Sequence, residues 1–183
     1  PFLRTSMKLG GETYVLNEDV KLTGIFDFGA LLFDSSSSSR VTDRYFLGNN
    51  LFRGFAAGGL GPREKNVLGS PLIDDGLGGN YYAVARFESK SPLGLPEEYG
   101  IELGAFFDAG SVWGLDASSL TTAANASTPS QVLYDDFTLR AVAGVSIFWT
   151  TPIGPLRFNW SDAVKKAPGD VEQSFDLTVS TSF

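Results

Sequence analysis

Few residues of this chain have the type and spacing to do chemistry, and the most telling are an arginine and two strand residues. Arg53 lies between Phe52 and Gly54 in a stretch rich in glycine and aromatics, while Phe106 and Asp108 stand two apart in a run that alternates apolar and polar residues. Residues two apart on a strand share a face. An arginine folded into an interior must find a carboxylate or an aromatic face, because burying it unpaired costs several kcal/mol. Phe106 and Asp108 offer both. The competing reading of Arg53 is a solvated loop arginine.

Other chemical candidates are weaker. The pairs Asp74, Asp75 and Glu97, Glu98 match no calcium-loop spacing and read as solvated carboxylates on turns. The run Gly58 to Gly61 lacks the Lys-Ser/Thr and the strand-to-helix context of a phosphate loop, and reads as turn geometry. Lys165 and Lys166 could touch anionic lipid headgroups. The chain has no His, which removes the residue on which triads, zinc sites and most general-base chemistry lean. An enzyme is therefore not expected, nor a metal or cofactor. With 14 Lys and Arg against 21 Asp and Glu, a net charge of −7 and no basic stripe, nucleic acid is not an expected partner. The absence of Cys fits an oxidising envelope compartment but also many cytosolic proteins.

The elements that must position Arg53 and its partners are strands. Phe175, Leu177, Val179, Thr181 and Phe183 alternate with polar residues, and so do Ile101 to Trp113, Phe137 to Trp149, Leu156 to Ser161, Tyr81 to Ser89, Val20 to Phe33 and, more weakly, Leu3 to Val15. These make seven strands. Apolar residues are 43% of the chain, yet mean hydropathy is only +0.01, and no run approaches the roughly 18 apolar residues of a membrane helix. A membrane barrel strand needs one apolar face only, so this does not exclude the membrane.

A soluble antiparallel sandwich would alternate too. Several of these strands reach ten residues or more, however, near the length that crosses a bilayer at a tilt. Connections also alternate in length. The turns at 17–19, 92–99 and 151–155 are short, 163–172 is intermediate, 114–135 is long, and 34–79 is a loop of roughly 45 residues, far beyond ordinary connections. Short periplasmic turns alternating with long external loops mark an outer-membrane barrel, with the chain end in the periplasm. Tyr81, Trp113, Trp149, Phe175 and Phe183 lie near strand ends, where interfacial aromatics belong. The expected fold class is all-β, a transmembrane antiparallel β-barrel. Seven strands cannot close alone, because an open sheet would leave unpaired edges in lipid, so residues 1–183 are expected to be part of a larger barrel with strands missing upstream.

Inside the long loop, residues 34–40 carry a serine run, whereas DRYFLGNN (43–50), FRGF (52–55), GLGP (59–62) and GLGGN (76–80) are aromatic and glycine-rich. Loop aromatics need something to pack on, and in a wide barrel that is the lumen wall. These blocks, followed by GNYYAVARFESKSPL, GAFFDAGSVW, TPIGPLRFNW, KKAPGD and an aromatic C-terminus, make the chain resemble the BamA family of outer-membrane protein assembly factors.

The resemblance implies a barrel of about sixteen strands of which this chain holds the last seven, with periplasmic domains preceding it. It implies insertion of unfolded β-barrel client proteins into the bacterial outer membrane without a cofactor, alongside outer-membrane lipids and accessory lipoproteins. It further implies that the loop motif Phe52, Arg53, Gly54 and Phe55 locks against Phe106 and Asp108. The last strand, with Phe175, Leu177, Val179, Ser180 and Phe183, would form one side of a lateral seam. Two departures stand out. Phe52 replaces the family's usual Val, and Ser180 stands where relatives can place a kinking glycine. Secretory and translocation pores of the same superfamily share the loop arginine and are the alternative function.

Overall fold

The computed structural model describes residues 2–16, 19–34, 39–48, 51–66, 74–115, 130–152 and 154–179. In chain order its strands are β1 (Phe2–Val15), β2 (Val20–Phe33), β3 (Arg63–Asn66), β4 (Asp74–Gly76), β5 (Tyr81–Pro92), β6 (Ile101–Trp113), β7 (Ser130–Leu133), β8 (Arg140–Thr151), β9 (Gly154–Lys165) and β10 (Phe175–Val179). Two short 3-10 turns, Val41–Asp43 and Glu97–Tyr99, complete the described elements. Seven strands form one antiparallel sheet in the order β1-β2-β5-β6-β8-β9-β10, in which each strand pairs with its sequence neighbour among the long strands. That is the meander the alternating pattern anticipates.

Six of the seven run 12 to 14 residues, or about 40 Å at roughly 3.3 Å per residue, enough to cross a bilayer while tilted. Their two faces differ as the alternation requires. Phe26, Phe87, Phe107, Val145, Trp160 and Leu177 project from one face and are all exposed. The opposite, inward face carries Asp27, Tyr82, Val84, Glu88, Phe106, Asp108, Val112, Arg140 and Val142. A contiguous exposed apolar face of this extent is foreign to a soluble monomer and natural against lipid. Aromatics gather near the strand ends: Tyr81 lies 6.1 Å from Trp113 and Trp113 lies edge-on to Phe137 at 4.8 Å.

The hydrophobic core lies between the inward face and the long connection. Leu47, Phe52, Phe55 and Leu60 from that connection pack with Leu31, Tyr45, Tyr82, Val84, Phe106, Val112 and Val142. The Phe52 and Phe55 rings stack at 5.6 Å. Each such side chain contributes about 1.5–3 kcal/mol by leaving water. Tyr45 pins the loop's entry: its backbone pairs with Gly79, and its hydroxyl donates to the Thr5 carbonyl at 2.6 Å.

The structure departs from the sequence expectation within the two long connections. The described parts of both contribute strands, since β3 from the first pairs with β4 of the same connection and with β7 of the second, forming a separate three-stranded sheet. Arg63–Asn66 and Asp74–Gly76 have no apolar alternation, so nothing in their own residues announces a strand. Asp74, expected to be solvated, instead receives the Arg63 guanidinium, Nε to Oδ1 at 2.6 Å and Nη2 to its carbonyl at 2.7 Å. The carboxylate is still half exposed, so this pair orients Arg63 more than it stabilises. At the other strands only bounds move. β8 begins at Arg140 instead of Phe137, and β9 continues to Lys165 past a bulge opposite Ala141 and Val142.

Candidate functional site

The site is built where the loop turns back against β5 and β6. Backbone bonds from Leu51 and Phe52 to the Gly48 carbonyl, at 2.8 and 2.7 Å, close a turn that presents Arg53 to the wall. Gly54 follows at φ 82°, a conformation that disfavours side chains, and a Cβ there would lie 2.7 Å from Val142 Cγ1. The motif needs glycine at this position on both counts.

Arg53 is buried and uses its whole guanidinium. Nε donates to Asp108 Oδ2 at 2.6 Å and Nη2 to Asp108 Oδ1 at 2.5 Å, the bidentate fork that fits a carboxylate. The Arg53 backbone N–H reaches the same Oδ2 at 3.3 Å. Its Cζ sits 3.8 Å from the centre of the Phe106 ring, face-on to the aromatic electrons. The remaining nitrogen, Nη1, is ion-paired with Glu88. Burial works against the charge, but the hydrogen bonds and attraction of Asp108, with the added pull of Glu88, outweigh it and hold the Arg53 pKa above its ordinary value. The cation is permanent.

The sequence pairing of Arg53 with Phe106 and Asp108 is what the geometry brings together, and Phe52 and Phe55 pack beside it. Sequence reasoning missed Glu88, Arg157 and Gly144. Glu88 lies directly opposite Phe106 in the β5–β6 register and bridges Arg53 to Arg157, whose Nε also donates to Asn159 at 2.8 Å. Its position on the polar face was visible, but its partnership depends on the register across the 92–99 connection. Gly144 lies opposite Phe106 in the β6–β8 register, and a Cβ there would come within 2.4 Å of Phe106 Cζ. The missing side chain is the room in which the ring lies. Among the described residues no cluster of acidic side chains could hold a metal.

The residues expected at the seam fall on β10. Phe175, Leu177 and Val179 are on the exposed apolar face, paired with Trp160, Phe158 and Leu156, while Ser180 and Phe183 lie outside the described residues. Among the described residues β10 pairs with β9 alone, so its other edge carries no strand. The Arg53 motif reaches the approach to this strand, because Phe55 forms a bridge with Glu172.

A long-stranded antiparallel sheet, apolar on one face and holding a locked loop on the other, defines the wall of an outer-membrane β-barrel. The Omp85 superfamily domain matches residues 2–183, and the chain belongs to that superfamily of integral outer-membrane proteins. It is 29% identical over 182 residues to the outer membrane protein assembly factor BamA of Neorickettsia risticii (strain Illinois), covering 100% of this chain and 22% of that protein. With the BamA of Neisseria meningitidis serogroup B (strain ATCC BAA-335 / MC58) it shares 32% identity over 143 residues, 72% of this chain and 17% of that protein. The crystal structure of BamA from Haemophilus ducreyi lacking POTRA domains 1–3 superposes with a TM-score of 0.79 at 23% identity, over 97% of this chain and 34% of that one. The chain thus spans about a fifth of the curated relatives it matches.

Proposed function

We propose that this chain is the closing part of a barrel that assembles and inserts β-barrel proteins into the bacterial outer membrane, with residues 34–79 as an external loop folded into the lumen. The observation that carries this reading against a passive pore is the Arg53 lock, and against the secretory pores that share the loop arginine it is the likeness to assembly factors along the chain. A passive pore gains by keeping its lumen open, whereas here a loop fills the inward side and a buried guanidinium is committed to Asp108, Phe106 and Glu88. The relatives, assembly factors of the outer membrane, point the same way. On this reading β10 is one side of a lateral seam, closing against an upstream strand, and a weakly paired edge there is what strand addition requires. Unfolded β-barrel chains are the clients, outer-membrane lipids the surroundings, and accessory lipoproteins the further partners. Upstream strands and periplasmic domains complete the protein, and the chain ends on the periplasmic side.

The test is client folding by the complete protein reconstituted in lipid vesicles. Arg53→Ala is expected to slow the appearance of folded, protease-resistant client by about tenfold, the kinetic weight of roughly 1.4 kcal/mol. An unaltered rate would remove the lock from the mechanism. Steady large ion currents from the unmutated barrel at rest would favour a secretory pore.

A further inference from the structure

A second buried arginine lies away from the Arg53 site, at the end of the sheet that carries the long connections. The side chain of Arg140 on β8 is 0% exposed and that of Asp170 2%. Nε of Arg140 donates to Asp170 Oδ2 at 3.1 Å and Nη2 to Oδ1 at 3.0 Å, a second bidentate fork. The remaining nitrogen, Nη1, donates to the Thr138 carbonyl at 2.9 Å and to Ser111 Oγ at 3.3 Å. Asp170 belongs to the KKAPGD block between β9 and β10, and its carboxylate also accepts the Ala167 N–H at 2.6 Å, which closes the turn on itself.

From Asp170 the chain runs straight along the Arg53 loop. Val171 N donates to the Gly59 carbonyl at 2.7 Å, Ala56 N to the Val171 carbonyl at 2.9 Å, and Gln173 N to the Gly54 carbonyl at 3.0 Å. Gly54 is the neighbour of Arg53, and Phe175 begins β10 two residues after Gln173. The described part of β10 has a five-residue ladder to β9 and no second strand. Among the described residues, the entry of β10 is held by the chain from Asp170 to Gln173, through the Arg140 fork and the bonds to the Arg53 loop. A buried ion pair is a poor source of net stability compared with apolar packing, but it fixes geometry.

We propose that Asp170, clamped by Arg140, is a positioning residue for β10, and that the backbone bonds between residues 54–59 and 171–173 join this clamp to the Arg53 lock as one unit. The loop lock and the outer end of the last strand then move together. The proposal rests on the reading of β10 as the seam strand, and its test does not depend on client insertion.

Hydrogen–deuterium exchange of the complete protein in lipid nanodiscs reads it directly. Asp170→Asn is expected to raise exchange by about tenfold or more at the amides of Ala56, Val171, Gln173 and residues 175–179, with β5 and β6 amides unchanged. Should the unpaired Arg140 keep that variant from folding, Arg140→Met with Asp170→Leu removes both charges together and is expected to show the same local rise. Unchanged exchange in residues 171–179, or an equal rise in every strand, would overturn the proposal. Because the readout is amide protection, a protein that failed to insert clients could still confirm the clamp.

Discussion

Asp108 and Glu88 hold Arg53 charged against the cost of its burial, so the energy of its site rests on those partners. Removing one member of a buried pair strands the other without water, at about 3–5 kcal/mol. Arg53→Ala and Asp108→Ala should therefore each lower the barrel's resistance to urea or heat, and the double variant should be little worse than either single one. Strictly additive losses would separate the two residues. Arg53→Lys is expected to behave like the alanine variant, because an ammonium cannot make the fork to Asp108, lie over Phe106 and reach Glu88 at once. Phe52 in place of a smaller apolar residue is accommodated by stacking on Phe55.

Strands β6 and β8 show how an element positions a residue it does not contain. Phe106 can lie under the guanidinium only because Gly144 across the ladder offers no side chain. Gly144→Ala would meet both the Phe106 ring and the Trp160 carbonyl at 2.4 Å, so the clash cannot be relieved by the ring alone. Such overpacking costs about 1–3 kcal/mol. The expected result is a lowered unfolding midpoint together with faster proteolysis of the 39–66 loop. An intact loop in a stable barrel would show that the ring has another place to go. The small sheet β4-β3-β7 acts at the same scale, since it ties the two long connections to one another.

As a whole the molecule is a curtain with two chemistries. Phe107 at mid-strand faces outward and is 42% exposed, while Ser6 on β1 faces inward beside Gly29. In the bilayer the outward position meets hydrocarbon. Phe107→Arg is expected to cost about 2–4 kcal/mol near the midplane and to reduce the fraction of protein that folds into vesicles, whereas Ser6→Arg should cost less, chiefly the hydrogen bond of Ser6 with Tyr82. Equal effects would mean that the two faces do not see different solvents. The exposed apolar face that would condemn a soluble protein is the surface that keeps this one in the outer membrane.

The sequence by itself determined the strands and their two faces, and it nominated Phe106 and Asp108 as partners should Arg53 be buried. All of these follow from local rules: period-two alternation, turn residues, and the need of a buried charge for a partner. It also carried the family blocks along nearly the whole chain. Register across the connections, strands lacking a pattern of their own and contacts between distant loops needed the tertiary structure. Glu88 joins Arg53 because the β5–β6 ladder sets it opposite Phe106, and Gly144 matters because the β6–β8 ladder does the same. REKN and DDG become strands because each finds an edge to pair with. Arg140 and Asp170, thirty residues apart, meet because the chain after β9 folds back over the inward face. Those pairings depend on which residues lie opposite one another once the sheet has formed, and no local pattern encodes that.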